Sequence, residues 1–572
     1  MSEAPRLRIV RGEDAPEPPP RDPQDPGFDP DAGSKGSAKA EPDERPAVQQ
    51  RTGKGHLDFR AGLEALQEIK GLYARGERLS VVLGKAGNEM PLIHQVTPGW
   101  LWVRLQEVRR WQRWMPRGDK LYLHDAAPSD KLLAALLENG RWPGVDHVEA
   151  LTTTPIIRPD GSVQWEEGYD RETGAYYASV GDVLPQTKPD RASAVACRKR
   201  LLDVVGDFCW ASPLDAEVWL AGLLAPLVRC WCGPCPITLF TATTPSSGKS
   251  VCADIIGAII GGRGMARMAW TYDNEELRKR LVSMALAGDQ IVLWDNLANG
   301  SSLTGPVVDM AATAERVYDR ALSKNEMIDA PLKACWYATG NNISVPSDTG
   351  RRVLLARMTP TMEHPEDWTG YRVKRIVRYC RKLRPELASA AVTILQAYLL
   401  AGSPDQPSVI GSFEGWSEVV RSAIIWAGGD DVAKARANLA PGVDVDADIH
   451  RQLLIVWRGL FRTGGSTIPR AIDLCPPNGE EAVLGTVLAE LAPERGGKIG
   501  SARRIGREFT KYRGRVREVE GCKLVLERRE KNAAGMWVWV VGEVGNLGDQ
   551  EAPALVEEYV GRKGQVEADY DD

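Results

Sequence analysis

The sequence contains no unbroken apolar run of about 18 residues, so we predict no membrane-spanning helix. Its first 20 residues are rich in proline and charge and lack the apolar core of a secretion signal, so we expect a cytoplasmic protein. Histidine is scarce: the six residues share no metal-ligand spacing, and no Ser–His–Asp or paired-carboxylate motif is present. The ten cysteines are scattered apart from one cluster, which fits a reducing compartment better than a disulfide framework.

The one cysteine cluster is the stretch RCWCGPC, with Cys230, Cys232 and Cys235. Tetrahedral zinc takes four ligands, and no fourth ligand is near in the sequence. We therefore do not expect a metal here and leave the role of these cysteines open.

Charge is unevenly distributed along the chain, whose formal net charge is −5. Residues 13–45 carry −6 and residues 543–572 carry −7, whereas residues 1–12 carry +2 and residues 46–542 carry +6. A basic body between two acidic tails is compatible with a polyanionic partner such as nucleic acid.

Composition and hydrophobic patterning divide the chain into seven segments, in an α/β protein overall. We predict a disordered, acidic, proline-rich tail (1–55), a small α+β domain (56–185), a helical linker (186–236), a domain of alternating strands and helices (237–370), a helical segment (371–449), a basic, winged-helix-like module (450–545) and a disordered acidic tail (546–572).

Within the small domain, GWLWVRLQEVRRWQRW carries Trp100, Trp102, Trp111 and Trp114 beside arginines. Such a stretch can stack nucleic-acid bases. A helix that packs its tryptophans into the core is the commoner arrangement, and we favour it.

The stretch TTPSSGKS (243–250) follows the apolar run Ile237–Phe240 and precedes the helical pattern VCADIIGAII. Strand, loop and helix in this order are the context of a phosphate-binding loop. Gly248 lets the backbone approach a phosphate, Lys249 reaches the β- and γ-phosphates, and Ser250 can ligate Mg²⁺. Thr243 stands where a glycine is usual. The predicted nucleotide-contacting residues are Thr244, Pro245, Ser246, Ser247, Gly248, Lys249, Ser250 and Val251.

A second strand-like run, QIVLWDN (290–296), ends in Asp295, which we predict to hold Mg²⁺ together with Ser250. The next position, where a carboxylate would activate water, is Asn296. An amide can orient water but is a poor general base, so the identity of the base stays open.

Two further polar clusters follow at even spacing. ACWYATGNN (334–342) ends in Asn341, an amide suited to sensing a γ-phosphate, and SDTGRRVLL (347–355) carries Arg351 and Arg352. A guanidinium stabilises charge on a transferring phosphoryl group, and a ring ATPase would present one to its neighbour's site. We expect all four clusters to converge on one triphosphate, so we predict that residues 237–370 form a P-loop ATPase domain.

The order TTPSSGKS, IVLWDN, ATGNN and DTGRR resembles that of superfamily 3-type helicase ATPases of phages and integrated mobile elements. The closest likeness is to the ATPase half of phage primase–helicase proteins, and it extends over roughly residues 125–542. The stretch ASAAVTILQAYLLAGSPDQPSVIGSFEGWSEVVRSAIIWAGGDD (388–431) is similar to the helical segment that follows the ATPase domain in that family.

This resemblance implies an AAA+-like fold, ATP and Mg²⁺ as cofactors, a hexameric ring and movement along DNA. It implies that Lys249 and Ser250 contact phosphates and Mg²⁺, Asp295 is the Mg²⁺-side acid, Asn341 the sensor, and Arg351 or Arg352 the finger in trans. It also places Arg320 and Lys324 in DNA-facing loops. No primase domain is evident, so a separate primase is a candidate partner.

Residues 495–531 hold 13 Lys or Arg and five acidic residues, a net charge of +8. Helical patterns followed by two strand-like runs predict a winged helix that contacts DNA, where such residues supply affinity and salt sensitivity. The candidates for phosphate contact are Arg503, Arg504, Arg507, Lys511 and Arg513.

The sequence therefore predicts an ATP-dependent DNA helicase or translocase for replication of a phage or mobile element. The alternative is a DNA-binding initiator or regulator that ATP switches without unwinding, which Asn296 favours.

Overall fold

The computed structural model shows a mixed α/β protein that contains a five-stranded parallel β-sheet. The structure describes residues 43–50, 53–83, 91–117, 120–181, 183, 189–320, 327–360, 362, 364–367, 369–437, 445–475, 483–493, 498–519 and 521–544. The tail predicted at 546–572 and most of the tail predicted at 1–55 lie outside these ranges.

The first element of the described N-terminal residues is a strand. The elements of this N-terminal part are β1 (Ala47–Gln50), α1 (Gly55–Glu68), β2 (Leu72–Arg75), β3 (Arg78–Leu83), β4 (Leu92–Gln95), α2 (Pro98–Val108), β5 (Arg110–Arg117), β6 (Lys120–Asp125) and α3 (Asp130–Glu138). Strand β1 pairs in parallel with β5, with Ala47 opposite Arg110. Strand β1 thus lies within the segment predicted as a tail (1–55), because local composition does not reveal a partner strand far downstream.

The tryptophan-rich stretch is only half helical. Helix α2 ends at Val108 and the chain continues as β5, where the Trp111 indole donates to the Leu105 carbonyl at 3.0 Å. Trp111 is buried, but Trp102 and Trp114 are 40% and 48% exposed. The expected burial of these tryptophans in the core thus fails for two of them.

The next stretch is built from two hairpins and two helices. It contains β7 (Ala150–Thr152), β8 (Ile156–Ile157), β9 (Val163–Gln164), β10 (Gly168–Asp170), β11 (Ala175–Tyr177), α4 (Arg191–Val204) and α5 (Pro213–Val228). Gly161 and Gly174 adopt φ values of +83° and +66° in the turns of the β8–β9 and β10–β11 hairpins, a backbone conformation that glycine tolerates.

The central part alternates strands and helices. It comprises β12 (Ile237–Ala242), α6 (Lys249–Gly261), β13 (Arg267–Ala269), α7 (Asn274–Ala287), β14 (Ile291–Leu297), α8 (Pro306–Thr313), β15 (Arg316–Arg320), β16 (Met327–Pro331), β17 (Cys335–Asn341), α9 (Ser347–Gly350) and β18 (Val353–Met358). Five strands form one parallel sheet in the order β13-β14-β17-β12-β18, and β15 and β16 form a separate antiparallel pair. Helices cover this sheet, so its central strands are apolar runs.

The connections of this sheet create a crevice. From β12 the chain passes beyond β17 and β14 to β13, whereas from β17 it passes beyond β12 to β18. The chain thus leaves these two neighbouring strands in opposite directions. In open α/β sheets, ligands bind outside the carboxyl ends of the strands at such a point.

The C-terminal part is mostly helical and ends in a three-stranded antiparallel sheet. It contains α10 (Ile376–Lys382), α11 (Arg384–Leu400), α12 (Glu414–Trp416), a π-helical stretch (Ser417–Arg421), α13 (Ser422–Trp426), α14 (Val445–Phe461), α15 (Ile468–Asp473), α16 (Val483–Leu491), α17 (Ala502–Tyr512), β19 (Val516–Val519), β20 (Cys522–Lys531) and β21 (Trp537–Glu543). Elements from α14 onward enclose their own hydrophobic core, separate from the one around the central sheet.

A buried arginine joins the N-terminal part to the central part. Arg75, at the end of β2, donates to the carbonyl oxygens of Val148 (3.1 Å) and Glu149 (2.8 Å), and across the junction to those of Ala285 (2.6 Å) and Pro331 (3.1 Å). Burial lowers the pKa of Arg75 to about 10. Within the described part of the chain, the guanidinium therefore contacts carbonyl oxygens and pairs with no carboxylate.

Candidate functional site

The loop between β12 and α6 has the backbone geometry of an anion site. Gly248 precedes the first residue of α6 with a φ of +90°, and Ser246 also has a positive φ, of 56°. A Cβ on Gly248 would lie 2.8 Å from the ring of Phe208. Glycine is thus required here both by backbone conformation and by space, and the loop presents the N–H groups of a helix start, which attract anions.

Lys249 lies under this loop and is 9% exposed. Its ammonium donates to Ser247 Oγ at 2.8 Å and to the Thr244 carbonyl at 3.4 Å. Burial lowers its pKa. No ion pair of Lys249 with a carboxylate occurs among the described residues, so its charge is held by neutral oxygens beside the loop.

Asp295 lies on β14 at the same edge of the sheet and is the centre of a polar cluster. Its Oδ1 accepts hydrogen bonds from the hydroxyls of Ser250 (2.9 Å) and Thr339 (2.6 Å). Its Oδ2 pairs with Arg267 Nε at 2.9 Å. Ser250 comes from α6, Thr339 from β17 and Arg267 from β13, so four elements meet at one carboxylate. Hydroxyl and carboxylate oxygens are ligands that Mg²⁺ prefers.

Asn296 lies in an irregularity of β14. The register with β17 shifts between Trp294 and Leu297, and Asn296 has a φ of 57°. Its backbone N–H donates to Thr339 Oγ1 at 2.9 Å, and its side chain is exposed. This bulge interrupts the strand directly after Asp295, at the edge where the loop lies.

Asn341 and Asn342 end β17 next to the P-loop strand, with Asn341 opposite Ala242. Asn342 Nδ2 donates to the Thr243 carbonyl (3.3 Å) and to Asn299 Oδ1 (3.0 Å), which ties this strand end to the start of the loop. Asn341 Oδ1 is buried and has no hydrogen-bond partner among the described residues, and the same is true of Thr244 Oγ1. Such orphaned atoms at a crevice fit a bound polar ligand or water.

The structure does not bring Arg351 and Arg352 to this cluster within one chain. They precede β18, whose first residue pairs with Ile237 at the opposite end of β12. Six residues of strand, about 20 Å, separate the two edges. The expectation that all four clusters converge is therefore corrected: three meet in one chain, because strands that run in parallel place the end of one and the start of another at opposite edges.

The two arginines differ in their surroundings. Arg352 donates to Asp309 Oδ1 at 2.8 Å and to the Asp348 carbonyl at 2.6 Å. The Arg351 side chain is exposed, and no hydrogen bond or ion pair of it occurs with the described part of the chain. Arg351 is therefore the freer of the two.

The candidate DNA-contacting residues lie far apart in the sequence. Arg320 ends β15, and Lys324 lies outside the described residues. Helix α17 exposes Arg503, Arg504 and Arg507 opposite its buried face of Ile505, Phe509 and Tyr512. Two candidates on this module are already paired: Lys511 with Glu508 (2.7 Å) and Arg513 with Glu527 (3.9 Å).

Sequence reasoning missed three residues of the Asp295 cluster. Thr339 stands two residues before Asn341, in the quoted motif, where alternation along β17 points it to the same side of the sheet. Arg267 and Asp254, which pair at 2.6 Å, have no motif of their own. Their proximity to Asp295 follows from the strand order, which the sequence does not display.

The cysteine cluster lies away from this site. Cys232 and Cys235 are buried with Cys335 near the amino end of the sheet, and burial raises the pKa of Cys230 to about 12. Over the described ranges, no group of three or more His, Cys, Asp or Glu side chains could hold a metal ion. Over the same ranges, every helix is too short or too polar to cross a membrane.

The sequence matches no protein-family model and no curated protein. Solved structures show a distant likeness. The C-terminal region of NrS-1, in an apo form, matches over 84% of this chain and 98% of its own, with 12% identity and a TM-score of 0.34. The Cch helicase of SCCmec type IV matches over 71% and 81%, with 12% identity and a TM-score of 0.27. The JCV helicase matches over 44% and 73%, with 14% identity and a TM-score of 0.19. Likenesses this distant assign no role to any residue of this chain.

Proposed function

We propose that the protein is a Mg²⁺-dependent ATPase with an AAA+-like core whose hydrolysis drives movement along DNA, as a helicase or translocase in the replication of a phage or mobile element. The single observation that carries the proposal is the hydrogen bond of 2.9 Å between Ser250 and Asp295. Ser250 directly follows the loop lysine, and Asp295 lies near the end of β14, which is two strands away from β12 in the sheet. Phosphoryl transfer on a P-loop needs this hydroxyl and this carboxylate together, because both hold the metal.

Each residue of the site has a task in this mechanism. The N–H groups at the start of α6 donate to phosphate oxygens, and Lys249 exchanges its bond to Ser247 for the β- and γ-phosphates. Ser250 and Asp295 would hold Mg²⁺, which would neutralise charge on the phosphates. Asn341, with its orphaned carbonyl oxygen, positions the attacking water.

Arg351 is the proposed finger for the site of a neighbouring subunit. It is exposed at the amino edge of the sheet, whereas Arg352 forms an ion pair with Asp309. A residue on the edge opposite its own loop can reach a triphosphate only in another subunit. The proposal therefore includes a homo-oligomeric ring, with a hexamer as the expected form.

The DNA contact is proposed for the C-terminal module. Its separate core and its helix–hairpin order fit a winged helix, and α17 presents three exposed arginines on one surface. A cationic helix face binds the phosphate backbone without reading the sequence.

A second candidate function is an ATP-switched initiator or regulator that binds DNA without unwinding it. The observation that favours it is Asn296, which occupies the bulge after Asp295 where a carboxylate would activate water. An amide orients water but does not accept its proton at neutral pH, so turnover would be slow.

The substitution Lys249→Ala tests the proposal. We expect ATP hydrolysis to fall at least 100-fold, because the cation that neutralises the phosphates is lost. ATPase activity and strand displacement on a forked DNA should disappear together. Retained turnover would reject the site, whereas DNA-stimulated hydrolysis without strand displacement in the unsubstituted protein would favour the switch.

A further inference from the structure

We propose that Arg267 is a built-in counter-ion that competes with Mg²⁺ for Asp295 and so sets the Mg²⁺ concentration that the site requires. The inference rests on the proposed function, because it assumes that Asp295 holds the metal. It concerns the residue that the structure places on that carboxylate.

Arg267 is positioned by the edge strand of the sheet. Strand β13 pairs in parallel with β14, with Ala269 opposite Asp295. From two residues earlier on the strand, the Arg267 guanidinium reaches Asp295 Oδ2 through Nε at 2.9 Å and Asp254 Oδ2 through Nη2 at 2.6 Å. One guanidinium therefore bridges two carboxylates.

Asp254 belongs to the same side of the site as Ser250. The two residues are four positions apart on α6 and so share one face of the helix. The other Asp254 oxygen accepts the Met265 backbone N–H at 3.1 Å, which fixes the carboxyl group. Burial raises the pKa of Asp254 and the charge of Arg267 opposes that shift. The positive charge of Arg267 thus offsets the repulsion between the carboxylates of Asp254 and Asp295, which are close together and partly buried.

Both oxygens of Asp295 are engaged in this arrangement. Oδ1 accepts the hydroxyls of Ser250 and Thr339, and Oδ2 is held by Arg267. A divalent cation bound by Ser250 and Asp295 would lie beside the guanidinium, and like charges at this separation repel each other. Mg²⁺ binding and the Arg267–Asp295 pair therefore oppose each other.

The Arg267 side chain can also leave Asp295 without losing both of its carboxylate partners. Its side chain is 49% exposed, and its bond to Asp254 does not involve Asp295. When Mg²⁺ takes Asp295, Arg267 can turn towards solvent and keep Asp254 as its partner.

The test is the Mg²⁺ dependence of nucleotide binding, measured with a fluorescent, non-hydrolysable ATP analogue on the full chain. We expect Arg267→Gln to lower the half-saturating Mg²⁺ concentration about two- to fivefold, the range that corresponds to a half-exposed ion pair. Arg267→Lys keeps the charge and should stay close to the unsubstituted protein.

Arg280→Gln is the matched control. Arg280 is 34% exposed and donates to Glu276 (2.9 Å) and to the Ala269 carbonyl (2.8 Å), next to β13 but not to Asp295. It removes the same charge from the same region and should leave the Mg²⁺ requirement unchanged.

Three results would overturn the inference: no change with Arg267→Gln, a higher Mg²⁺ requirement with it, or an equal decrease with Arg280→Gln. If the unsubstituted protein binds the analogue at no Mg²⁺ concentration, the proposed function itself fails. If it binds the analogue but Arg267→Gln has no effect, only the competition fails.

Discussion

Gly248 shows how one residue without a side chain determines the shape of the site. Its φ of +90° lies in the left-handed region, and the ring of Phe208 occupies the space that a Cβ would need. The loop is therefore packed from behind by a residue forty positions earlier in the chain. Loop conformation and packing are both satisfied only by glycine.

The substitution Gly248→Ala tests this double constraint. We expect affinity for ATP, measured by calorimetry, to fall at least tenfold, because the loop must shift to relieve the contact with Phe208. Gly402→Ala is the control, since Gly402 has a similar φ of +81° but no atom within 4 Å of the added Cβ. It should cost about 1 kcal/mol of stability and leave affinity unchanged. Equal affinities in the two variants would contradict the prediction.

For single residues, the sequence predicts those that belong to a motif but not those that surround them in the folded site. Lys249, Ser250 and Asp295 are predictable because strand–loop–helix spacing and an apolar run ending in an acid are local patterns. Thr339, Arg267 and Asp254 enter the site because β13 and β17 flank β14. Strand order is a property of the folded chain, so no local sequence pattern predicts those three residues.

Among the elements, α14 and α17 meet at a buried histidine. His450 stacks on Tyr512 with ring centroids 4.4 Å apart and planes 13° apart, and Arg517 Nε donates to its Nδ1 at 3.3 Å. Burial, and then the nearby arginines Arg517, Arg515 and Arg451, lower the pKa of His450 to about 3. The ring is therefore neutral in the folded module.

This neutrality makes the module sensitive to acid. In the unfolded chain the histidine gains a proton near pH 6.5, whereas in the folded module it stays neutral down to about pH 3. The free energy of unfolding therefore decreases as the pH falls through that window. We expect a loss of about 2 kcal/mol between pH 7 and pH 5 from this residue. Hydrogen exchange of α14 and α17 in the intact chain, corrected for intrinsic rates, measures it.

Two variants isolate the effect. His450→Gln should remove this part of the pH dependence, whereas His147→Gln, at an exposed position, should keep it. An unaltered pH dependence in His450→Gln would show that other groups cause it.

At the level of elements the sequence predicts the type of most segments but not every boundary. The two strand-like runs predicted in the basic module are present as β20 and β21, and the helical patterns before them as α16 and α17. Strand β1 is missed because AVQQ has no strong pattern of its own and is ordered by pairing with β5. Helix α2 ends earlier than its apolar spacing suggests, because Trp111 turns back onto Leu105.

For the whole molecule, the decisive feature is that the loop and Arg351 lie at opposite edges of one sheet. A chain built in this way carries one half of a site at each edge. In the proposed ring, a complete site would form between the loop of one subunit and Arg351 of its neighbour.

Mixing two inactive variants tests this arrangement. Arg351→Ala should bind ATP normally but hydrolyse it at least 100-fold more slowly. When it is mixed with Lys249→Ala, some interfaces join an intact loop to an intact Arg351, so ATPase activity should return in part. Arg352→Ala should instead lower thermal stability through loss of its pair with Asp309. If no mixture recovers activity, the role in trans is wrong.

Arg75 has a consequence for how such an assembly would deform. Separating the N-terminal part from the sheet would strip a cation of carbonyl contacts on both sides of the junction, and one of these carbonyls belongs to the last turn of α7 while another ends β16. A tilt of α7 or of the β15–β16 pair would therefore strain the hydrogen bonds that hold the N-terminal part to the sheet.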